Sequence, residues 1–340
     1  MDSVIRVPEL VQAIASIGMP AVALTDQGNL FALVKFYKAA QAAGIKHIIG
    51  ADLRLRDMEA DTFSIFTLLC CDEQGYHNLS MLVTRSYLEG QPRGIPMLER
   101  QWLTGHADGL IALSGGREGN IGRSLLAGRA SGARELLDDW SELFPQRFYI
   151  ELQRTGREGE AEYLRGAVQL AVAAGAPLVA TNDVRFLKAD RFEAHEARVC
   201  IQAGYTLNDS RRPRDYSEQQ YLRSEQEMSQ LFADLPEALE NSVEIAQRCN
   251  FTLHLGENFL PAYPLPEGQS TESFLRAEAQ TGLEKRLATI PTDAGPDTQR
   301  LVQRYQERLA LELDVILRMG FAGYFLIVAD FILWAKHNGV

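Results

Sequence analysis

From Ala21 to Asp183 the chain alternates short, nearly unbroken apolar runs with amphipathic stretches of helical period, and this alternation restricts the fold more than any other feature. "AVALTD", "KHIIGADLRL", "FSIFTLLCCD", "GLIALSG", "RFYIELQ" and "PLVATND" read as strands. "NLFALVKFYKAAQAAG", "YHNLSMLVTRSYLEG", "IGRSLLAG", "SGARELLDDWSELF" and "EAEYLRGAVQLAVAAG" read as helices, the first with an apolar face of Leu30, Leu33, Val34, Phe36 and Tyr37 that ends at Gly44. A strand that is apolar throughout has to be covered on both faces. The segment is therefore expected to form a mainly parallel sheet, open or closed into a barrel, with helices outside it.

In such folds chemistry gathers at the carboxyl ends of the strands. Those ends carry Asp26, Ser114, Glu151 and Asp183, with Asp52 just after Gly50 in its own strand. Carboxylates brought together repel one another unless they are protonated, paired with cations or holding a divalent metal. A hydrolytic metal site of oxygen and imidazole donors also needs histidines. They are missing beside the acids: Gln27 follows Asp26, and Val184 and Arg185 follow Asp183 in "LVATNDVRFL". This spacing motivates the expectation that Arg185 supplies the charge of a lost metal, pairing with Asp183, Asp26 or Asp52. In the alternative, Arg185 points to solvent and Asp183 caps the next turn. The histidines His47, His77, His106, His195, His254 and His337 have neither HxH nor HExxH spacing, and His195, beside Glu193 and Glu196, is expected to be structural. "SGGREGNIGRS" matches no phosphate-loop pattern and is expected to be a turn.

At 340 residues the chain is long enough for two domains or one large α/β unit. Its 46% apolar and 23% charged residues are those of an ordinary globular protein. No run approaches the roughly 20 apolar residues of a spanning helix, and the start lacks the marks of a signal peptide, so the chain reads as cytoplasmic with no membrane contact. The four cysteines agree: Cys70 and Cys71 are neighbours near a strand end, Cys200 and Cys249 sit singly in helix-like segments, and no CxxC pair or disulfide framework is present. A net charge of −11 excludes a surface that is basic throughout but not a basic channel.

After Phe186 the pattern turns helical in "RFEAHEARVCIQAG", "SEQEMSQLF" and "PEALENSVEIAQRC", with Pro236 where a first turn tolerates it. "GENFLPAYPLPEGQSTESF" looks like a boundary segment. "TESFLRAEAQTGLEKRL" follows with a capping box expected at Thr271. Then come a polar loop, "IPTDAGPDTQ", a long helix to Met319, and the apolar "GFAGYFLIVADFILWAKHNGV". An apolar run that stops in this way is expected to pack on something downstream, so the sequence reads as a fragment.

"GMPAVALTDQGNLFALVKFYKAAQAAGIKHIIGADL", "FYIELQRTGREGE", "PLVATNDVRFL", "DLPEALENSVEIAQRCNFTL", "GENFLPAYPLPEG" and "ELDVILRMGFAGYFLIVADFILWAK", in this order, resemble the N-terminal part of the alpha-subunit family of bacterial DNA polymerase III, the C-family replicative polymerases. The resemblance implies a polymerase-and-histidinol-phosphatase (PHP) domain at 1–255, a distorted β/α barrel whose first strand is missing before Met1. It implies the mainly helical start of the polymerase palm region at 256–340. Family members with a metal-binding PHP site carry an opening histidine-rich strand, a TDH motif, an acid after a glycine and an NDVH motif. Here the opening strand is absent, TDH reads Thr25-Asp26-Gln27, the acid is Asp52, and NDVH reads Asn182-Asp183-Val184-Arg185. Asp26, Gln27, Asp52, Asp183 and Arg185 are thus expected to be vestiges of a site, with no metal retained and no catalytic residue in the chain.

For the parent protein the resemblance implies a DNA-directed DNA polymerase acting on primer-template DNA and dNTPs. Its Mg2+ ligands would lie beyond Val340, leaving this piece inactive alone. The piece would act as scaffold and as docking surface for a proofreading exonuclease subunit, among other replicase subunits. The alternative is a freestanding PHP-type metal-dependent phosphoesterase, which would need ligands that Gln27 and Arg185 have replaced. A binding module with no catalytic history is a third possibility.

Overall fold

The structure, a computed structural model, describes residues 3–57, 62–91, 94–257, 260–289 and 295–340. The first five residues of the expected polar loop, 290–294, lie outside them, as do Asn258 and Phe259 of the expected boundary segment. The chain forms two compact units, Met1–Leu253 and His254–Val340.

In the first unit the six apolar runs are strands: β1 (Ala21–Gln27), β2 (Lys46–Arg56), β3 (Phe63–Cys70), β4 (Leu110–Leu113), β5 (Phe148–Gln153) and β6 (Leu178–Thr181). They form one curled, half-barrel sheet in the order β1-β2-β3-β4-β5-β6. β1 and β2 are parallel, as are β4, β5 and β6. The sheet is thus mainly parallel, as expected, with an exception in its middle, where β3 runs antiparallel to both β2 and β4. For β2 and β3 the reason lies in the connection: residues 57–62 are too few for a parallel crossover, which takes a dozen residues or more. An apolar run records burial but not direction.

The helices are α1 (Val7–Ser16), α2 (Leu33–Ala43), α3 (Glu73–Leu88), α4 (Asn120–Leu126), α5 (Ala130–Leu143), α6 (Glu160–Ala174), α7 (Phe192–Ala203), α8 (Glu225–Leu231) and α9 (Pro236–Arg248). α1 is an addition to the sequence reading; Pro8 lies in its first turn, and its Leu10, Val11 and Ile14 are buried. α2 ends as expected at Gly44, whose φ of 67° is left-handed. The sheet and helices enclose Phe36, Leu53, Leu68, Trp140, Ile150 and Tyr163, all fully buried. Each such large side chain contributes about 1.5–3 kcal/mol by leaving water. α9 closes the unit against β6, where Asn241 Nδ2 donates to Leu178 O at 2.8 Å.

The Gly-rich segment is a turn leading into α4. Gly115 has a φ of 76°, and a Cβ there would lie 1.9 Å from the Ile65 carbonyl oxygen of β3. A glycine is therefore required by both backbone angle and space.

The second unit packs α10 (Thr271–Leu287), α11 (Gly295–Arg318) and α12 (Ala322–His337) around Leu275, Leu313, Ala322 and Leu326. The capping box of α10 is built one residue earlier than expected, by Ser270 and Ser273 instead of Thr271. Ser270 has the extended backbone of a cap residue and its hydroxyl reaches the Ser273 amide, while Thr271 is already helical. Among the described residues no single helix is long and apolar enough to cross a membrane. α11 and α12 qualify only as a pair, bent by 117°.

Candidate functional site

Two of the sheet's parallel seams and the loop after β6 gather the acids singled out above. Register places Gln27 opposite Asp52 across β1 and β2, and Asp52 opposite Thr67 across β2 and β3. Across β5 and β6 it places Gln153 opposite Thr181, with Glu151 two residues before Gln153 on the same face. Asp183 follows β6 by two residues, at a φ of 41°, a left-handed conformation that Asp tolerates better than most residues.

Asp183 is the hub. Arg185 Nη2 lies 2.5 Å from its Oδ1, Arg157 Nη2 lies 3.2 Å from its Oδ2, and Gln220 Nε2 donates to Oδ2 at 2.8 Å. Arg185 faces inward, with its side chain 17% exposed and its guanidinium 5.9 Å from the Tyr216 ring centre. Its main chain is fastened on both sides: the amide donates to Gln220 O at 2.8 Å, and the carbonyl accepts from Val4 N at 3.1 Å and Ser3 Oγ at 3.0 Å. Asp183, one of the three acids proposed as its partner, is held by Arg185, and the solvent-facing alternative does not hold.

The second guanidinium, Arg157, is a residue that sequence reasoning missed. Its side chain is 6% exposed, and it donates to Glu118 Oε1 at 3.1 Å, Gln153 Oε1 at 2.9 Å and Thr155 Oγ1 at 3.0 Å. It lies in "QRTGREGE", between β5 and α6, where nothing in the spacing ties it to Asp183. Only the rule that buried carboxylates need cationic partners could have prompted the search.

The remaining acids are satisfied differently. Asp52 Oδ1 accepts from Thr67 Oγ1 at 2.7 Å. Burial pushes its carboxyl up to about 7, against smaller lowering contributions from that bond and from Arg185. Glu151 is buried and accepts from Thr181 Oγ1 at 2.5 Å; burial likewise raises its carboxyl, and the charge of Asp183 adds to the rise. Gln27, which stands where a TDH histidine would be, accepts from Arg54 Nη2 at 2.6 Å through its Oε1. Asp26 lines a small space with Leu24, Asn29, Leu30, Leu33, Ile49 and Gly50. Ser114 is turned inward, its Oγ accepting from the Glu151 amide at 3.0 Å.

These residues do not fit a metal centre. Both oxygens of Asp183 are engaged by guanidinium groups, and burial raises the carboxyls of Asp52 and Glu151. Among the described residues no group of three or more His, Cys, Asp or Glu side chains converges as a metal cluster. His195 is fully buried on α7, its ring 4.6 Å from Tyr216 and 5.6 Å from Phe186, and the neighbouring Glu196 pairs with Arg212.

Comparison with known proteins supplies the context. The PHP domain family matches residues 1–155, and the family described as the bacterial DNA polymerase III alpha NTPase domain matches residues 273–340. Proteins named DNA polymerase III subunit alpha are 54% identical in Pseudomonas aeruginosa, 50% in Escherichia coli and 49% in Vibrio cholerae, each over 100% of this chain. The chain spans 29% of the length of these relatives. An amidohydrolase structure from Chromobacterium violaceum aligns with 58% of this chain and 93% of its own at 13% identity and a TM-score of 0.39, too distant to argue from.

Proposed function

Given that the chain belongs to the alpha-subunit family of bacterial DNA polymerase III, we propose that it is a non-catalytic scaffold of a replicative, DNA-directed DNA polymerase, with its PHP metal site lost. On this reading residues 1–255 are the PHP domain, and 256–340 begin the polymerase palm. The Mg2+ of nucleotidyl transfer, the primer-template DNA and the dNTPs are handled by residues beyond Val340, in the cytoplasm. The PHP domain braces the palm and offers a docking surface to a proofreading exonuclease subunit and other replicase subunits.

The observation that carries the reading is the occupation of Asp183 by Arg157 and Arg185. Two divalent ions would place about four positive charges among these acids. Two fixed guanidinium groups supply half of that permanently, with no dependence on metal supply. Asp26, Gln27, Asp52, Asp183 and Arg185 then persist as structural parts of the barrel mouth.

The test is the metal content of the dialysed chain by elemental analysis, beside a variant carrying Gln27→His and Arg185→His. Less than one ion per wild-type chain is expected. Two or more zinc or manganese ions would sink the scaffold reading and put the freestanding phosphoesterase in its place. Docking is tested separately, by co-elution of the chain with a purified proofreading exonuclease.

A further inference from the structure

Cys71 and Cys249 are 178 positions apart and meet at one end of the first unit. Cys71 directly follows β3, and Cys249 is the residue that ends α9. The Asn250 amide donates to the Cys71 carbonyl at 2.7 Å, which lays the two main chains side by side. Both cysteines are free, and Cys71 packs against the apolar cluster that holds Cys249. Cys249 is 2% exposed, seated among Ile48, Leu69, Tyr149 and Ile245, whereas Cys71 is only half-buried at the rim of that cluster. The neighbouring Cys249 holds the Cys71 thiol below the usual range, helped by the guanidinium groups of Arg248 and Arg147. Cys71 and burial push Cys249 up.

We propose that Cys71 and Cys249 form a redox modification site, oxidised by a small peroxide to an intramolecular disulfide that staples α9 to the end of β3. The geometry suits it: adjacent main chains and side chains packed in one cluster are what a disulfide needs, and a thiolate near cations is the form that reacts. In the first step the Cys71 thiolate attacks one peroxide oxygen and the O–O bond breaks. The departing hydroxide takes up a proton and leaves as water, and Cys71 becomes a sulfenic acid. The Cys249 sulfur then attacks the Cys71 sulfur, the S–O bond breaks, and the hydroxide leaves as water with the proton that Cys249 releases. Two thiols are oxidised by two electrons, and one hydrogen peroxide is reduced to two waters. Cys70 and Cys200 are buried and serve as internal controls.

The experiment treats the folded full chain with equimolar hydrogen peroxide at neutral pH. Remaining thiols are blocked, and the chain is digested without reductant for mass spectrometry. A peptide containing Cys71 linked to one containing Cys249 is expected. The thiol titre in denaturant should fall from four per chain to two and return with dithiothreitol. An unchanged titre, sulfinic acid at Cys71 without a link, or a link through Cys70 or Cys200 would overturn the proposal. In Cys249→Ser, dimedone should trap a sulfenic acid on Cys71, and absence of the adduct in folded variant also counts against it. Should that variant fail to fold, the wild-type peptide map decides alone.

Discussion

Arg185 holds Asp183 from one side while Arg157 and Gln220 hold it from the other, so removing one guanidinium leaves the carboxylate partly satisfied. Arg185→Ala is therefore expected to lower stability by about 1–2 kcal/mol, less than the loss on breaking an isolated buried pair. A urea titration at neutral pH reads it, and an unchanged midpoint would show that the pair contributes nothing. Asp52 has the opposite problem, a carboxyl enclosed without a cation of its own. It titrates at about 7 in the folded chain against an ordinary value of 3.8, so the folded state keeps a proton between those values that the unfolded chain has lost. Stability from this source is complete below about pH 4 and drains away as pH rises through 7. Asp52→Asn keeps an oxygen for Thr67 and never ionises. It should match wild type near pH 4 and exceed it by about 1–3 kcal/mol at pH 8, a figure reduced for the partial exposure of the site. Denaturant melts at the two pH values check both halves.

At the level of elements, the turn from β4 into α4 depends on Gly115. Gly115→Ala meets both an unfavourable φ and the Ile65 carbonyl, so a loss of about 2–4 kcal/mol is expected in thermal or denaturant melts. An unchanged melting temperature would mean that β3 can yield there. The sequence made the six strands and most of the helices legible, because burial on both faces leaves unbroken apolar runs in strands and burial on one face leaves a period of 3.6 in helices. It did not make strand direction legible, since "FSIFTLLC" is equally apolar read either way and only the shortness of the 57–62 link betrays the antiparallel pairing of β2 and β3. The cap of α10 was displaced by one residue because Ser270 and Thr271 are both good cap residues, and backbone angle decides between them. Within the candidate site, Asp183 and Arg185 were legible as neighbours along the chain. Arg157, Gln220 and the Cys71 and Cys249 pair were not, because their contacts span from 26 to 178 positions and leave no periodic trace.

On the scale of the whole molecule, the division near Leu253 predicts that residues 1–253 fold without the rest. This truncated chain should unfold in one cooperative transition, and a molten far-ultraviolet signal without a transition would refute it. The exposed apolar residues of α12, with Trp334 at 63% and Phe331 at 56%, lie in the remainder. Binding of a hydrophobic dye to the full chain should thus fall sharply on truncation. The sheet has a further property in its order, since each strand pairs with the one that follows it in the chain. While the protein is being made, each strand after β1 leaves the ribosome with a partner already present. Each growing edge waits only for the next segment of chain, and the last, β6, is covered when α9 arrives and lies against it. A ribosome stalled anywhere between Gln153 and Pro236 would hold a sheet already in its final order, extended one strand at a time.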